Sequence, residues 1–387
     1  MVGIIEEGDR VSCYHPLKAW PIGKTASGKT DYKITSYNVH HLEQRNGVWT
    51  PICEDFLSPY RDRSVMEFVE IPCGKCTGCR LEYSRQWANR CMLELEYHKS
   101  AYFVTLTYNN EHVPISYYAD PETGEAFPSM TLRKRDFQLF MKRLRKRCED
   151  GQRDVICSDS PIGGCGSGIR FFAAGEYGSQ TYRPHYHAIL FGLRLSDLVP
   201  YKRSRGFTYY TSESLQRCWS VLSSSGSNLG EYTSPKSQQY EPLGYVVVAP
   251  VTWETCAYTA RYVMKKLKGP EAEFYDKFAL EPPFTLMSRK PGIAHQWFVD
   301  HPDCFDYDFI NLRTDKGGRK IKPPKYYDHL FDLEYPEKFA EMKETRKRMA
   351  EQAKKIKLSK TSLNYLDYLQ VEEDALSDRI KALKREL

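Results

Sequence analysis

Length, composition and charge narrow the functions open to this chain. Its 387 residues carry a formal net charge of +6, an aromatic content of 13% and twelve cysteines, and they suffice for a sizeable core in two or three folding units. No stretch approaches the roughly 20 apolar residues of a membrane span, and the N-terminus lacks a signal-peptide core, so we expect an intracellular protein without a membrane partner. The small excess of positive charge is compatible with a polyanionic partner.

Clustered cysteines in a reducing compartment indicate a metal site more than disulfides. A C-x-x-C-x-x-C pattern with intervening glycines, typical of a metal-binding knuckle, is formed by Cys73, Cys76 and Cys79. Tetrahedral zinc needs a fourth ligand. Cys91 lies along a helix predicted from about residue 80, some 18 Å away at about 1.5 Å per residue. We therefore expect Cys13, in preference to Cys53, to complete a structural zinc site; metal-free thiols, a redox site and a [4Fe–4S] cluster are the alternatives.

The middle of the chain alternates predicted strands and helices. Strands are predicted at residues 101–108, 169–178, 182–192 and 244–251, and helices at 131–147 and 252–269, the last with Thr252 as N-cap and Gly269 at its end. This order predicts an α+β domain with a mainly antiparallel sheet. We expect three domains, at residues 1–99, 100–269 and 270–387; the C-terminal end is predicted to form two solvated helices or a disordered basic tail.

The first predicted helix is strongly basic. Its apolar residues fall at i, i+3, i+4 and i+7, namely Phe137, Phe140, Met141 and Leu144, and its other faces carry eight Lys or Arg against one Asp. Such a face is either simply solvated or contacts a phosphate backbone. The candidates for phosphate contact are Arg133, Lys134, Arg143, Arg147 and, outside the helix, Arg183.

Two histidines stand one residue apart in the predicted strand at 182–192. Side chains at i and i+2 of a strand share a face, so His185 and His187 can bind one ion while Tyr186 points away. Glu176 ends the preceding strand, and a short connection returns the chain beside the histidines. The pattern predicts a metal site of two histidines and one carboxylate, and the alternative is a pair of histidines that only form hydrogen bonds in the core.

A tyrosine pair follows on the last predicted helix. Tyr258 and Tyr262 are spaced i and i+4, about 6 Å apart on one helical face, and Lys265 and Lys266 come shortly after. The pair is either packed in the core or nucleophilic, because a phenol suits attack on a phosphodiester that must leave a stable covalent intermediate. Non-heme iron oxygenases share the two-histidine, one-carboxylate ligand set but have no use for the tyrosines.

Several motifs together resemble a known family. "RPHYHAILFG" followed by "YTARYVMKK" resembles the HUH endonucleases of the two-tyrosine type. With "PCGKCTGCRLEYSRQWANR", "FVTLTY", "TLRKRDFQLFMKRLRKR", "GEYG" and "FTLMSRKPGIAHQWF", in this order over roughly residues 11–300, the chain is similar to the replication initiation proteins of microviruses of the gokushovirus kind.

The resemblance implies a fold and an activity. It implies an α+β HUH endonuclease fold whose five-stranded antiparallel sheet carries the histidines on its central strand, with the tyrosine helix alongside, in addition to the zinc knuckle and the helical C-terminal region. It implies an enzyme that nicks single-stranded DNA at a replication origin and later rejoins it. Mg²⁺ or Mn²⁺ would be bound by His185, His187 and Glu176.

The implied mechanism uses a tyrosine as nucleophile. Tyr258 or Tyr262 would form a 5′-phosphotyrosine, with Lys265 or Lys266 neutralising phosphate charge or lowering the phenol pKa. The partners would be origin DNA and the host polymerase and helicase, and the place of action the host cytoplasm. A plasmid relaxase or initiator with the same chemistry, and a zinc protein that binds nucleic acid without cutting it, are the alternative functions.

Overall fold

A computed structural model describes residues 13–150, 155–157, 168–178, 180–204, 206–222, 240–262, 269–306, 309–314 and 317–385. The chain divides into two compact units, one formed by Met1–Glu82 with Asp332–Leu387 and the other by Tyr83–Phe331. The three domains expected from sequence stay a prediction. Residues 158–167 of the Gly- and Ser-rich segment lie outside the described residues.

The strands and helices follow one another along the chain. The strands are β1 Leu17–Lys24, β2 Thr30–Ser36, β3 His41–Arg45, β4 Val48–Ile52, β5 Arg63–Val65, β6 Val69–Ile71, β7 Ala101–Thr107, β8 Ile115–Ala119, β9 Ala126–Met130, β10 Val155–Cys157, β11 Arg170–Tyr177, β12 Pro184–Phe191, β13 Leu193–Leu195, β14 Leu198–Ser204, β15 Phe207–Ser212, β16 Ser220–Leu222, β17 Tyr240–Pro242, β18 Val246–Pro250, β19 Phe284–Met287, β20 Ile310–Thr314 and β21 Gly317–Ile321. The helices are α1 Thr77–Leu95, α2 Lys134–Glu149, α3 Glu213–Cys218, α4 Trp253–Tyr262, α5 Glu273–Lys277, α6 His295–Asp300, α7 Lys325–Glu334, α8 Pro336–Leu358 and α9 Tyr365–Arg385, with short 3-10 turns at Gly269–Ala272 and Pro302–Phe305.

The first unit combines two small antiparallel sheets with the C-terminal helices. Strands β2-β1-β6 form one sheet and β4-β3-β5 the other. Trp20 and Leu42 are fully buried between apolar neighbours. Leu369 and Leu376 of α9 pack against the cysteine segment around Cys76. The C-terminal region is therefore helical, as one of its two predicted forms required.

The second unit is built on one large antiparallel sheet. Its seven strands lie in the order β14-β15-β18-β7-β12-β11-β19. The expected five-strand count is wrong because two additions lengthen the sheet. The hairpin β14–β15 pairs with β18 at one edge, and β19 pairs with β11 at the other. The middle strand is β7, and β12, which carries the histidines, lies beside it.

The two faces of this sheet have different cores. Directly paired residues of antiparallel strands point to the same side, so Tyr186, Leu106 and Val246 form one row. That face packs against α2, where the predicted apolar stripe is confirmed by four buried side chains, Phe137, Phe140, Met141 and Leu144. The opposite face carries His185, His187 and Glu176 and contacts α4.

Tyr186 anchors β12 through its hydroxyl. The hydroxyl donates to the carbonyl of Arg133 at 2.9 Å and accepts from the backbone N–H of Arg133 at 3.1 Å. It lies 2.8 Å from the hydroxyl of Tyr108, which in turn donates to Asp136 at 2.7 Å. The network joins β7 and β12 to the start of α2 inside the core, where each polar group needs a partner.

We expect Tyr186→Phe to destabilise the protein by about 1–3 kcal/mol, because it leaves buried groups of Arg133 and Tyr108 without their partner. The matched control is Tyr182→Phe, whose ring is exposed and which we expect to change stability by less than about 0.5 kcal/mol. Urea unfolding of both variants measures the difference. Equal stability of the two would contradict the anchoring role.

Candidate active site

The histidines and Glu176 meet on one face of the β11–β12 hairpin. Glu176 pairs directly with His185, and Ala174 pairs with His187. The Nε2 atoms of His185 and His187 lie 2.8 and 3.2 Å from Oε1 of Glu176. Adjacent ligands of an octahedral ion, each bound at about 2.1 Å, lie about 3 Å apart. The three side chains can therefore bind one ion from one side and leave its other positions open.

The burial of the three side chains gives this site an opening. The side chains of Glu176 and His187 are 2% and 6% exposed, whereas that of His185 is 19% exposed. A substrate therefore reaches the group from the side of His185. This is the end of β12 that is nearer to the connection from β11.

Hydrogen bonds orient both imidazole rings. Nδ1 of His185 lies 3.1 Å from the carbonyl oxygen of Arg183, which only accepts, so this nitrogen carries the proton and Nε2 carries the lone pair. Nδ1 of His187 lies 3.0 Å from Oγ1 of Thr105 on β7. Such outer partners of a ligand histidine typically fix its tautomer and orientation.

The charge state of Glu176 fits a cation site. Burial alone raises the pKa of this carboxyl, but the hydrogen bonds from His185 and His187 outweigh it and keep the pKa below its usual value. The group is an anion at neutral pH, ready to bind a cation.

Tyr258 reaches the same group from α4. Its ring lies edge-on to the imidazole of His187, with ring centres 5.1 Å apart, and it is 39% exposed. Thr252 begins the helix as predicted: Thr255 N–H donates to its Oγ1 at 3.2 Å, and Thr252 N–H donates to Oγ1 of Thr255 at 2.9 Å. This reciprocal cap holds the first turn of α4.

The rest of the predicted catalytic group is described only in part. The backbone of Tyr262 lies in α4, four residues after Tyr258. Lys265 and Lys266 lie outside the described residues. Two contacts hold α4 against α1, because Ser84 donates to the carbonyl of Ala257 at 2.7 Å and the indole of Trp253 donates to Asn89 at 2.9 Å.

The predicted phosphate-contacting side chains make contacts within the protein. Lys134 forms an ion pair with Glu281 at 3.0 Å, and Arg143 donates to the carbonyl of Cys218 at 3.2 Å. Arg183 donates to the carbonyl of Tyr108 and to the side chain of Asn110. Arg133 and Arg147 flank or lie in α2. The helix packs on the sheet face opposite the histidines, and the role of these residues in phosphate contact stays a prediction.

Four cysteine sulfurs converge in the first unit. The Sγ atoms of Cys13, Cys73, Cys76 and Cys79 all lie within 4.8 Å of one another, and the pairs Cys13–Cys76 and Cys73–Cys79 are each 4.0 Å apart. Sulfurs bound at about 2.3 Å around a tetrahedral ion are about 3.8 Å apart. Cys53, the other candidate, is exposed and outside this group of described residues.

Backbone amides surround the cysteine sulfurs. The N–H groups of Tyr14 and Cys79 each donate to Sγ of Cys76 at 3.4 Å, and that of Cys76 donates to Cys73 at 3.3 Å. Hydrogen bonds from the thiols of Cys13 and Cys79 also hold the pKa of Cys76 well below its usual value. The cluster thus stabilises thiolate, the form that binds metal.

Sequence reasoning missed Thr105, which orients His187. A signal was present, because Thr105 and Thr107 alternate with the apolar residues of "FVTLTY" and so mark a polar face of β7. None of the helices in the described part of the chain has the length and apolar character that crossing a membrane requires.

Comparisons with known proteins match this architecture to replication proteins of phages. The family model for replication-associated protein ORF2 matches residues 101–267. The chain is 31% identical over 322 residues to replication-associated protein ORF2 of Spiroplasma virus 4, which covers 82% of this chain and 85% of the relative. It is 28% identical over 273 residues to replication-associated protein VP4 of Bdellovibrio phage phiMH2K, 70% of each chain.

A third relative covers less of the sequence. Replication-associated protein ORF4 of Chlamydia phage 1 is 26% identical over 196 residues, which span 51% of this chain and 38% of the relative. No solved structure matches the chain significantly. The predicted resemblance to replication proteins of microviruses is confirmed, and the chain belongs to the replication-associated protein ORF2 family.

Proposed function

We propose that this protein initiates rolling-circle replication of a phage genome by nicking single-stranded DNA at the origin with HUH-type chemistry. The observation that carries the proposal is the convergence of Glu176, His185 and His187 on one face of the sheet with the ring of Tyr258 against His187. A cation site and a phenol side by side supply the two components that a phosphotyrosine mechanism needs.

The donor set supports a divalent cation. Two imidazole nitrogens and one carboxylate oxygen suit Mn²⁺, and Mg²⁺ also uses the carboxylate and the open positions for water. Bound there, such a cation supplies Lewis-acid polarisation of the scissile phosphate and stabilises the leaving oxygen. Glu176 contributes the negative charge, while Thr105 and the Arg183 carbonyl keep the imidazole lone pairs directed inward.

The tyrosine carries the covalent step. The phenol oxygen of Tyr258 or Tyr262 loses its proton and forms a bond to phosphorus, and the bond from phosphorus to the 3′ oxygen breaks. The 3′ oxygen leaves as a hydroxyl, ready for extension by a host polymerase. Lys265 or Lys266 offsets the negative charge of the phosphate during the attack. The phosphoester is conserved in the tyrosyl linkage, so rejoining the strand needs no nucleotide cofactor.

The place in the cell and the partners follow from the proposed reaction. The protein acts inside the host on a phage origin, together with a host polymerase and helicase. The relatives from three phages favour phage replication over a plasmid relaxase. A zinc protein that binds nucleic acid without cutting it would have no use for the alignment of Tyr258 with the histidines.

We also propose that the four cysteines bind one structural zinc ion. The sulfur separations fit a single tetrahedral ion and leave no space between them for a four-iron cluster. The cysteines pack against Leu369 and Leu376 of α9. Glu373 of α9 accepts from the Thr77 N–H at 3.3 Å and contacts His15 at 2.6 Å. A zinc ion there would join three distant segments of the first unit.

The first prediction concerns the histidines. We expect His185→Ala and His187→Ala each to lower Mn²⁺-dependent cleavage of single-stranded DNA more than about 100-fold, while Thr105→Val lowers it about 10-fold to 100-fold through misorientation of His187. The exposed His329→Ala is the matched control and should cleave at the wild-type rate. Calorimetric Mn²⁺ titration should show the same ranking, and wild-type Mn²⁺ affinity in both His→Ala variants would refute the site.

The tyrosines yield a second prediction. Because residues spaced i and i+4 share a helical face, a second phenol can attack at the same cation while the first holds its DNA. Tyr258→Phe and Tyr262→Phe should each retain some nicking but lose strand transfer, and the double variant should form no covalent adduct. Tyr117→Phe, in the exposed strand β8, is the control. The two-tyrosine cycle is wrong if one single variant abolishes nicking and the other replicates normally.

The cysteines yield a third prediction. Purified protein should contain about one zinc per chain, and Cys76→Ser and Cys13→Ser should lose it together with the folded first unit, because metal binding contributes directly to folding. Cys53→Ser is the matched control and should retain the ion. Elemental analysis with thermal unfolding decides this, and a Cys13→Ser variant that keeps full zinc would show that the fourth ligand is another group.

A further inference from the structure

The positions of the basic residues raise the question of where bound DNA lies. Helix α2, with its many Lys and Arg, packs on the sheet face that carries Tyr186, opposite His185 and His187. A strand whose phosphate lies at the histidines cannot contact that helix without rounding a sheet edge. The surface that receives the neighbouring nucleotides must therefore be sought on the histidine face.

One row of that face leads away from the histidines. His185 pairs with Thr107 on β7, and the N–H of Thr107 donates to the carbonyl of Tyr245 at 3.0 Å. Since Leu106 pairs with Val246 on the other face, Tyr245 points to the histidine side. It is 73% exposed and lies two strands from His185, about 10 Å at the usual strand spacing.

The hairpin β14–β15 continues the same face to the sheet edge. Tyr210 pairs with Val248 on the α2 side, so its neighbour Tyr209 points to the histidine side, and Lys202 pairs with Tyr209. The ammonium of Lys202 lies 5.3 Å from the ring centre of Tyr209 and 5.8 Å from that of Tyr201. Tyr201 stands at a bulge in β14 and is largely exposed.

The charge of this edge fits a polyanion. Residues 198–212 contain two lysine or arginine residues among those described, Lys202 and Arg203, and the segment has no Asp or Glu. Exposed tyrosines beside such cations resemble surfaces that hold single strands, where bases stack on aromatic rings and cations contact the phosphates. Tyr245, Tyr209, Tyr201 and Lys202 are called the tyrosine track below.

We propose that the tyrosine track binds the single-stranded DNA that flanks the scissile phosphate. This inference rests on the proposed nuclease function and adds the surface that positions its substrate. The track reaches from His185 across β7, β18 and β15 to β14, about 19 Å at the usual strand spacing. About five or six nucleotides cover that length at a rise of about 3.4 Å each. Stacking makes this binding independent of base sequence.

The test measures binding separately from cleavage. A fluorescein-labelled thymidine 12-mer is titrated with the full chain by anisotropy, without added Mg²⁺ or Mn²⁺. Tyr245→Ala and Tyr209→Ala should each weaken binding about tenfold, because stacking of one base contributes about that factor. Tyr245→Phe should restore the affinity, since the ring is what stacks. Lys202→Gln should lower the slope of log affinity against log salt by about 0.7.

The controls are Tyr117→Ala, a tyrosine of similar exposure on β8, and Lys29→Gln, an exposed lysine of the first unit. Both should bind like the wild type. In a cleavage assay with Mn²⁺, track variants should need about tenfold more DNA for half-maximal rate and keep the rate at saturation.

The outcomes separate this inference from the proposed function. Wild-type affinity in both Tyr→Ala variants would overturn the track, leave the nuclease proposal standing and assign the exposed edge to another partner, such as a protein. Weakened binding in a protein that never cuts DNA would keep the track and refute the nuclease. A wild-type chain that does not bind the 12-mer would refute both.

Discussion

The register of the β11–β12 hairpin is the constraint on which the site depends. Pairing Glu176 with His185 places the carboxylate and both imidazoles on one face, and the alternation of the strand sends Tyr186 to the other. A shift by one residue would direct Tyr186 toward the cation site and bury the histidines against α2. The hydrogen bonds of the Tyr186 hydroxyl with Arg133 and Tyr108 oppose that shift, so core packing and site geometry stabilise each other.

Each face of the sheet then has its own role. The α2 face forms the larger apolar core, and its basic residues are largely engaged with carbonyls and carboxylates of the protein. The histidine face carries the polar group, Tyr258 and the exposed tyrosine track. In the first unit, the cysteine cluster does what a large apolar core does elsewhere, since it gathers the segment at Cys13, the turn at Cys73 to Cys79 and helix α9 around one point.

Local patterns predicted the parts of this arrangement that depend on neighbours in sequence. The i, i+2 spacing of the histidines, the apolar stripe of α2 and the cap at Thr252 follow from strand and helix geometry alone. The edge strands β14, β15 and β19 were missed, because short strands with polar, aromatic side chains lack the apolar alternation of a buried strand. The contact of α9 with the cysteines joins residues some three hundred positions apart and has no local signature.

The most direct test of the account is to locate the covalent bond. Purified protein is incubated with single-stranded microvirus DNA and Mn²⁺, denatured, digested with nuclease and protease, and examined by mass spectrometry. The account predicts a nucleotide joined through phosphate to the peptide that contains Tyr258 and Tyr262. Cut DNA with a free 5′ phosphate, and no nucleotide on either tyrosine, would show that water is the nucleophile and would contradict the account.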